Sequence, residues 1–124
     1  ASDNFDRLVV YYGKDYRHDI SYLRTRALTH GLDFLPYKSM KITDLYDIVK
    51  AKMKLSRSRM QNACDQLGIK SKHFPIKPKI WMRARAGCPT SLKYIWNHNI
   101  EDVESTEHLY KKIVHYARQS NTSI

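Results

Sequence analysis

The chain has 124 residues, 42% hydrophobic and 27% charged, a composition typical of one packed domain and not of a disordered segment. No run approaches the roughly 18 consecutive apolar residues that span a bilayer, so we expect a soluble protein without membrane association. The 22 Lys and Arg residues exceed the 12 Asp and Glu residues and leave a formal charge of +10. Such an excess favours a nucleic-acid partner over a merely soluble basic domain.

The two cysteines, Cys64 and Cys88, form no Cys-x-x-Cys pair. Their spacing argues against a disulfide framework and against a structural zinc site. We therefore expect reduced thiols and a cytoplasmic location.

Short strands and helices alternate in the first half of the chain. Residues 8–12 form an apolar and aromatic run that predicts a buried strand. Helical spacing of apolar residues follows Asp19, and this helix is expected to end at Gly31. Asp19 thus lies at a strand–loop–helix junction, where a plain N-cap is the alternative to a functional role. Residues 42–49 predict a short strand that leads into Asp44 and a helical turn.

A basic strip occupies the middle of the chain. Interleaved with small and apolar residues, five basic side chains suit phosphate contacts: Lys50, Lys52, Lys54, Arg57 and Arg59. Ser56 is predicted to cap the next helix, and a second basic loop with two prolines follows over residues 70–79. Trp81 belongs to a short helix, and its indole is expected in the core because single-strand binders present aromatic residues on open sheets.

One long helix is predicted over residues 91–118. Its candidate buried positions are Leu92, Ile95, Trp96, Val103, Leu109, Tyr110, Ile113 and Ala117. Within it, His98 and Asp102 stand four residues apart and project from the same face. A carboxylate beside an imidazole can bind a metal ion and accept a proton, although most such pairs are solvated neighbours. The pair by itself leaves both roles open.

Several short motifs follow one another in a fixed order. They are Val-Tyr-Tyr-Gly at 10–13, Asp-Ile-Ser-Tyr-Leu at 19–23, Arg-Thr-Arg at 24–26, Asp-Leu-Tyr at 44–46, the stretch 54–69, Trp81, Ala-Gly at 86–87, His-Asn-Ile-Glu-Asp-Val at 98–103 and Thr-Glu at 106–107. In this order and spacing they resemble the DEDD 3′–5′ exonucleases. The resemblance is to the RNase H-like branch related to the proofreading domain of family B DNA polymerases, found in archaea, bacteria and phages.

The resemblance implies an α/β, RNase H-like fold that is mostly helical, with one or two strands remaining. It implies phosphodiester hydrolysis at nucleic-acid ends by two Mg²⁺ or Mn²⁺ ions, with single-stranded DNA favoured over RNA. Asp19 and Asp102 match the family's metal carboxylates. His98 takes the place of the tyrosine that orients or deprotonates the attacking water. Arg24 joins the basic strip as a nucleic-acid contact.

The family's first motif, Asp-x-Glu on the leading strand, is missing because no glutamate precedes Glu101. In addition, the loop from Tyr12 to Asp19 is longer than usual, and His18 replaces the aromatic residue that commonly precedes the aspartate. The resemblance therefore predicts that residues 1–124 are the C-terminal portion of one exonuclease domain. Such a portion is expected to be inactive alone and to expose a sheet edge that pairs with the missing N-terminal part.

Two other interpretations stay open. One is a non-catalytic, basic nucleic-acid-binding module of the same fold. The other is an interaction subunit that binds another replication protein. Under the enzymatic interpretation, the protein acts in the cytoplasm of a prokaryotic or phage-infected cell.

Overall fold

The chain folds into a mixed α/β unit in which helices predominate. A computed structural model describes residues 5–14, 17–70, 75–118 and 123–124. The elements are β1 Arg7–Val10, α1 Asp19–Thr29, β2 Lys41–Asp44, α2 Leu45–Lys52, α3 Met60–Gln66, α4 Pro78–Arg85 and α5 Pro89–Ile113, followed by a 3₁₀ turn at Val114–Tyr116. The α/β prediction is confirmed at this coarse level. None of the described helices combines the length and apolar character needed to cross a bilayer.

The sheet consists of two parallel strands. Arg7 of β1 lies opposite Lys41 of β2, and Val10 lies opposite Asp44. α1 makes the crossover that parallel strands require. On the far side of β2, Lys41 forms an antiparallel bridge with Ser123. Across the ranges that the structure describes, β1 pairs with β2 alone, so its other edge is open.

Two groups of buried apolar side chains hold the helices against the sheet. The larger comprises Leu45, Ile48, Val49, Ala63, Cys64, Ile69, Leu109 and Ile113. The smaller comprises Val10, Ile20, Ile42 and Ile124. Val9 and Tyr11 pack against the larger group, so α2, α3 and the C-terminal half of α5 are fixed to the β1 segment. This packing sets the position of α5 relative to β1.

The buried carboxylate of Asp44, at the end of β2, organises the loop that follows β1. It accepts hydrogen bonds from the backbone N–H groups of Tyr12 (2.7 Å), Gly13 (3.1 Å), Lys14 (3.3 Å) and Tyr46 (3.0 Å) and from Nη1 of Arg17 (2.9 Å). Tyr12 has a φ of 55°, a left-handed conformation that costs an L-residue about 1–2 kcal/mol. We call this arrangement the Asp44 clamp: it caps α2 and fixes the loop in an otherwise unfavourable shape.

Aromatic and charged side chains close over the Asp44 clamp. The Tyr12 and Tyr46 rings meet edge to face with centroids 4.7 Å apart. The Arg17 guanidinium lies 4.9 Å from the Tyr12 ring centroid and also pairs with Asp47 at 2.8 Å. Although burial opposes it, hydrogen bonding from Lys14 and Arg17 lowers the pKa of Asp47. The clamp is therefore sheltered from water on the side of the loop.

The sequence located most elements correctly but misplaced two helix caps. The strand that leads into Asp44 and the long last helix are confirmed. Asp19 is itself the first residue of α1, whose N-cap is His18, so the N-cap alternative for Asp19 is wrong. Ser56 does not cap α3, because that helix begins after Arg59. A cap depends on where the backbone turns into the helix, which residue type alone does not fix.

Several apolar residues expected in the core are exposed. Trp81, Trp96 and Val103 each have more than half of their surface open to solvent, whereas Leu109 and Ile113 are buried as predicted. Helical spacing places an apolar residue on a face but does not say whether another element covers that face. Residues 119–122 lie outside the described residues, and Ile124 is buried in the smaller core.

Replacing Asp44 tests the clamp. Asp44→Ala is expected to lower the free energy of unfolding by about 3 kcal/mol or more, because buried N–H groups and the Arg17 guanidinium would have no acceptor. Urea unfolding measures this decrease. Asp47→Ala is the matched control: Asp47 also pairs with Arg17 but is 40% exposed, so the decrease should stay below about 1 kcal/mol. Equal decreases for both variants would contradict the clamp.

Candidate active site at the open edge of β1

A groove of about 800 Å³ runs along β1 between α1 and α5. The four consecutive residues 8–11 all line it. Successive side chains of a strand point to opposite faces, so a groove that contacts all four follows the edge of the strand rather than one face. This edge is the one that β2 leaves unpaired. We call this cavity the edge groove.

Asp19 reaches the edge groove from the first turn of α1. Two features of Gly13 determine where the Asp19 carboxylate lies. The Gly13 carbonyl accepts a hydrogen bond from the N–H of Ile20 (3.1 Å), and a Cβ on Gly13 would overlap the Asp19 carboxylate. The N–H of Gly13 donates to the Asp44 carboxylate, so the clamp fixes the position of Gly13. Because Gly13 has no side chain, space remains beside it for the Asp19 carboxylate.

The opposite wall of the edge groove is a face of α5. Asp102 lies there together with Asn99, Val103, Thr106, Glu107 and Tyr110. The Thr106 hydroxyl donates to the carbonyl of Asp102 (2.7 Å) and contacts Sδ of Met60 at 3.3 Å. Met60 begins α3 and also lines the groove. The contact therefore joins α5 to α3 beside Asp102.

His98 contacts Asp102 from the preceding helical turn, as the sequence predicted. Its Nε2 lies 3.1 Å from Oδ2 of Asp102. Burial raises the pKa of Asp102; the nearby His98 ring lowers it in part, and the adjacent Glu101 carboxylate raises it further. In these surroundings the charged form of the carboxylate is less stable than it would be in water. A cation close to the carboxylate would stabilise that charged form.

The predicted site residues come together in part. Asp19 and Asp102, far apart in the sequence, line the same groove, and each side chain is 51% exposed. His98 touches Asp102 but is not among the described residues that line the groove. In the part of the chain that the structure describes, no three His, Cys, Asp or Glu side chains are placed to hold a metal ion together. The described residues alone therefore do not fit a two-metal site.

The basic strip ends at the groove: Arg59 directly precedes Met60, which lines it, whereas Lys52 lines a separate cavity with Met53 and Leu67. Lys50 and Lys52 are exposed at the end of α2, and the exposed residues Lys54, Arg57 and Arg59 follow in the segment that leads to Met60 in the groove. Arg24 is separate from the strip: it lies on α1, with its guanidinium 5.5 Å from the ring centroid of Phe34. Its predicted phosphate contact thus belongs to another surface.

Two polar residues of the groove were not identified as site residues from the sequence. Asn99 and Glu107 line the same wall as Asp102. Their signal was the recurrence of polar residues every three or four positions along α5, which a helix places on one side. Glu107 also pairs with Lys111 at 3.0 Å, and this hydrogen bond lowers the pKa of Glu107.

Comparisons with family models, with curated proteins and with solved structures found no match to this chain. The groove, its carboxylates and the distribution of charge are therefore the observations that bear on function.

Asp102→Asn tests whether the ionised carboxylate of Asp102 destabilises the folded chain. Because the pKa of Asp102 is raised in the folded chain, its ionised form destabilises the fold above that pKa. At pH 7 the free energy of unfolding of the variant should therefore equal or exceed that of the parent. The difference between the two free energies should vanish as the pH falls below the usual pKa of Asp. Urea unfolding at several pH values measures this.

Glu104→Gln is the matched control, since Glu104 is exposed on α5 and does not line the groove. It should leave stability nearly unchanged at every pH. A parent that is clearly more stable than Asp102→Asn at pH 7 would show that the His98 contact outweighs burial.

Proposed function

We propose that this chain is part of a metal-dependent 3′–5′ exonuclease domain that hydrolyses the ends of nucleic acid, single-stranded DNA in particular, in the cytoplasm of a prokaryotic or phage-infected cell. The observation that supports this best is that Asp19 and Asp102 line one groove, on opposite walls. Carboxylates are the ligands that Mg²⁺ and Mn²⁺ prefer, and such ions activate water and stabilise the leaving oxygen in phosphodiester hydrolysis.

The proposal requires further ligands, because the described residues do not complete a metal site. An additional strand on the open edge of β1 would supply them. Residues two apart on a strand share a face, so an Asp-x-Glu pair there would present both carboxylates to one side. Main-chain hydrogen bonds to β1 would bind such a strand, as in other cases of strand addition. We propose that the N-terminal part of the same domain provides it.

His98 is proposed to position the Asp102 carboxylate and to act on the attacking water. The 3.1 Å contact between Nε2 and Oδ2 supports the positioning role directly. The role of base requires the ring to turn into the groove, since His98 does not line it within the described structure. A neutral imidazole has a ring nitrogen that can accept a proton from water, which is the chemistry of a general base.

A non-catalytic nucleic-acid-binding module is the second candidate. The absence of a three-ligand cluster among the described residues favours it. Both candidates share the basic strip and the net charge of +10, so binding alone does not separate them.

The first test of the proposal is digestion of labelled single-stranded DNA with Mg²⁺ or Mn²⁺. Residues 1–124 alone should show little or no activity, because the metal site is incomplete. An extended chain that includes the N-terminal part proposed above should digest DNA from the 3′ end. In that chain, Asp19→Asn and Asp102→Asn should each reduce the rate by more than about 100-fold.

Glu104→Gln is again the control and should retain the activity of the extended chain. Robust activity of residues 1–124 alone that Asp102→Ala abolishes would refute the missing-strand account. An extended chain that binds DNA with no metal-dependent activity would favour the non-catalytic module.

The second test is the salt dependence of DNA binding. For single strands, removing one Lys or Arg that neutralises a phosphate should reduce the slope of log K against log salt by about 0.7. Changing Lys52, Lys54, Arg57 and Arg59 to Gln should therefore lower the slope by up to about 3. An unchanged slope would place the phosphate contacts elsewhere on the chain. No binding of DNA even at low salt would instead favour the interaction-subunit interpretation.

A further inference from the structure

One long stretch of the chain is basic and contains no acidic residue. No Asp or Glu occurs between Asp65 and Glu101, whereas seven basic residues do: Lys70, Lys72, Lys77, Lys79, Arg83, Arg85 and Lys93. Residues 66–100 thus carry seven positive charges outside the basic strip, against a net charge of +10 for the whole chain. All of these residues except Lys72, which lies outside the described ranges, are exposed. None of the six described residues takes part in an ion pair with a described carboxylate.

The same stretch carries both tryptophans of the chain, and both are exposed. Trp81 on α4 is 53% exposed and Trp96 on α5 is 65% exposed. Tryptophan is highly buried on average in folded proteins, so two indoles that are each more than half exposed within one basic stretch are unusual. Exposed aromatic rings surrounded by Lys and Arg are the usual elements of a surface that stacks bases and contacts phosphates.

α4 and the start of α5 form a helical hairpin that displays these side chains. The connection is short, residues 86–88, and the Tyr94 hydroxyl donates to the carbonyl of Pro75 (3.1 Å), so α5 folds back along the segment before α4. On α4, Ile80 and Ala84 are the partly buried positions. Trp81 and Arg85 stand four residues apart and are neighbours on its open surface. On α5, Lys93 and Trp96 are neighbours in the same way, three residues apart.

This surface is continuous with the edge groove. Trp96, Asn99 and Val103 are spaced by three and four residues, so they share one face of α5. Asn99 and Val103 line the groove, and Trp96 lies about 10 Å beyond Val103 along the helix axis. A nucleotide chain that leaves the groove along this face of α5 would pass over Trp96 within a few nucleotides.

We propose that the α4–α5 hairpin is a binding platform for single-stranded nucleic acid, in which Trp81 and Trp96 stack on bases and neighbouring Lys and Arg side chains contact phosphates. This proposal rests on the proposed function in one respect: the end of a nucleic-acid strand occupies the edge groove. Binding to the platform needs neither a metal ion nor catalysis, so the two ideas can fail separately.

Charge complementarity favours nucleic acid over a membrane or a protein as the ligand of this surface. Residues 75–100, which form α4 and the start of α5, carry positive charges and no acidic residue, which matches a polyanion with exposed base faces. An anionic membrane is a poorer fit, because α4 has only eight residues and one of its faces packs on α5. A protein partner would have to be strongly acidic over this whole surface.

The two tryptophans make a direct experiment available, since no other residue of the chain contributes indole fluorescence. Short oligothymidylate, added without divalent metal, should quench the fluorescence in a saturable and salt-sensitive manner. A duplex of the same length should quench less, because its base faces are already stacked. Trp81→Phe and Trp96→Phe should each leave one tryptophan that is still quenched.

Paired variants identify the contacts, with affinity measured by anisotropy of a labelled oligothymidylate. Trp81→Ala with Trp96→Ala should weaken binding about tenfold or more, whereas Tyr37→Ala, which removes an exposed aromatic ring outside the hairpin, should not. Arg85→Gln should weaken binding more than Arg26→Gln, since both residues lie in the last turn of a helix but only Arg85 adjoins a tryptophan. Circular dichroism checks that each variant is folded.

Several outcomes would overturn the platform. They are the absence of quenching at low salt, equal affinity for the double tryptophan variant and the parent, or quenching by vesicles of anionic lipid with none by oligothymidylate. If the double variant binds normally and the extended chain still digests DNA, the platform fails and the proposed function stands. If quenching follows the predictions but no extended chain is active, the platform stands and the exonuclease proposal fails.

Discussion

The site depends on the buried carboxylate of Asp44. It ends β2, caps α2 and binds three consecutive backbone N–H groups of the loop after β1. Its hydrogen bonds offset the left-handed backbone of Tyr12 and place Gly13, whose lack of a side chain leaves room for the Asp19 carboxylate. A single buried acceptor thus connects the sheet to the candidate active site. Through the hydrogen bond from the N–H of Ile20 to the Gly13 carbonyl, the clamp also holds the start of α1 beside the groove.

The open edge of β1 gives the groove its chemical character. An edge strand presents unpaired N–H and C=O groups, and proteins usually cover or blunt such an edge. Here apolar side chains of α1 and α5 flank it, while Asp19 and Asp102 stand on opposite walls. An added strand would satisfy the backbone groups and bring further side chains to the carboxylates at the same time. Under the proposed function, binding of such a strand and assembly of a metal site would be one event.

The strands, the helices and the pairing of His98 with Asp102 could be predicted from the sequence, because those features depend on local periodicity and spacing. The role of Asp44 could not, because its N–H donors come mainly from a loop about 30 residues earlier in the chain. The exposure of Trp81 and Trp96 could not be predicted either, since the sequence pattern of an apolar residue on a helix is the same whether or not a neighbouring element covers it. The separation of Arg24 from the basic strip likewise depends on tertiary packing.

The central claim is that Asp19 and Asp102 act on the same ligand in the edge groove. Mn²⁺ titration followed by NMR tests it directly, because paramagnetic broadening reports even a weak and transient metal site. We expect the amide signals around Asp19 and around Asp102 to broaden at the same Mn²⁺ concentration. Asp19→Asn or Asp102→Asn alone should reduce the broadening at both positions, whereas Asp47→Asn and Glu104→Gln should not. Broadening around Asp102 that persists unchanged in Asp19→Asn, or the converse, would contradict a shared site.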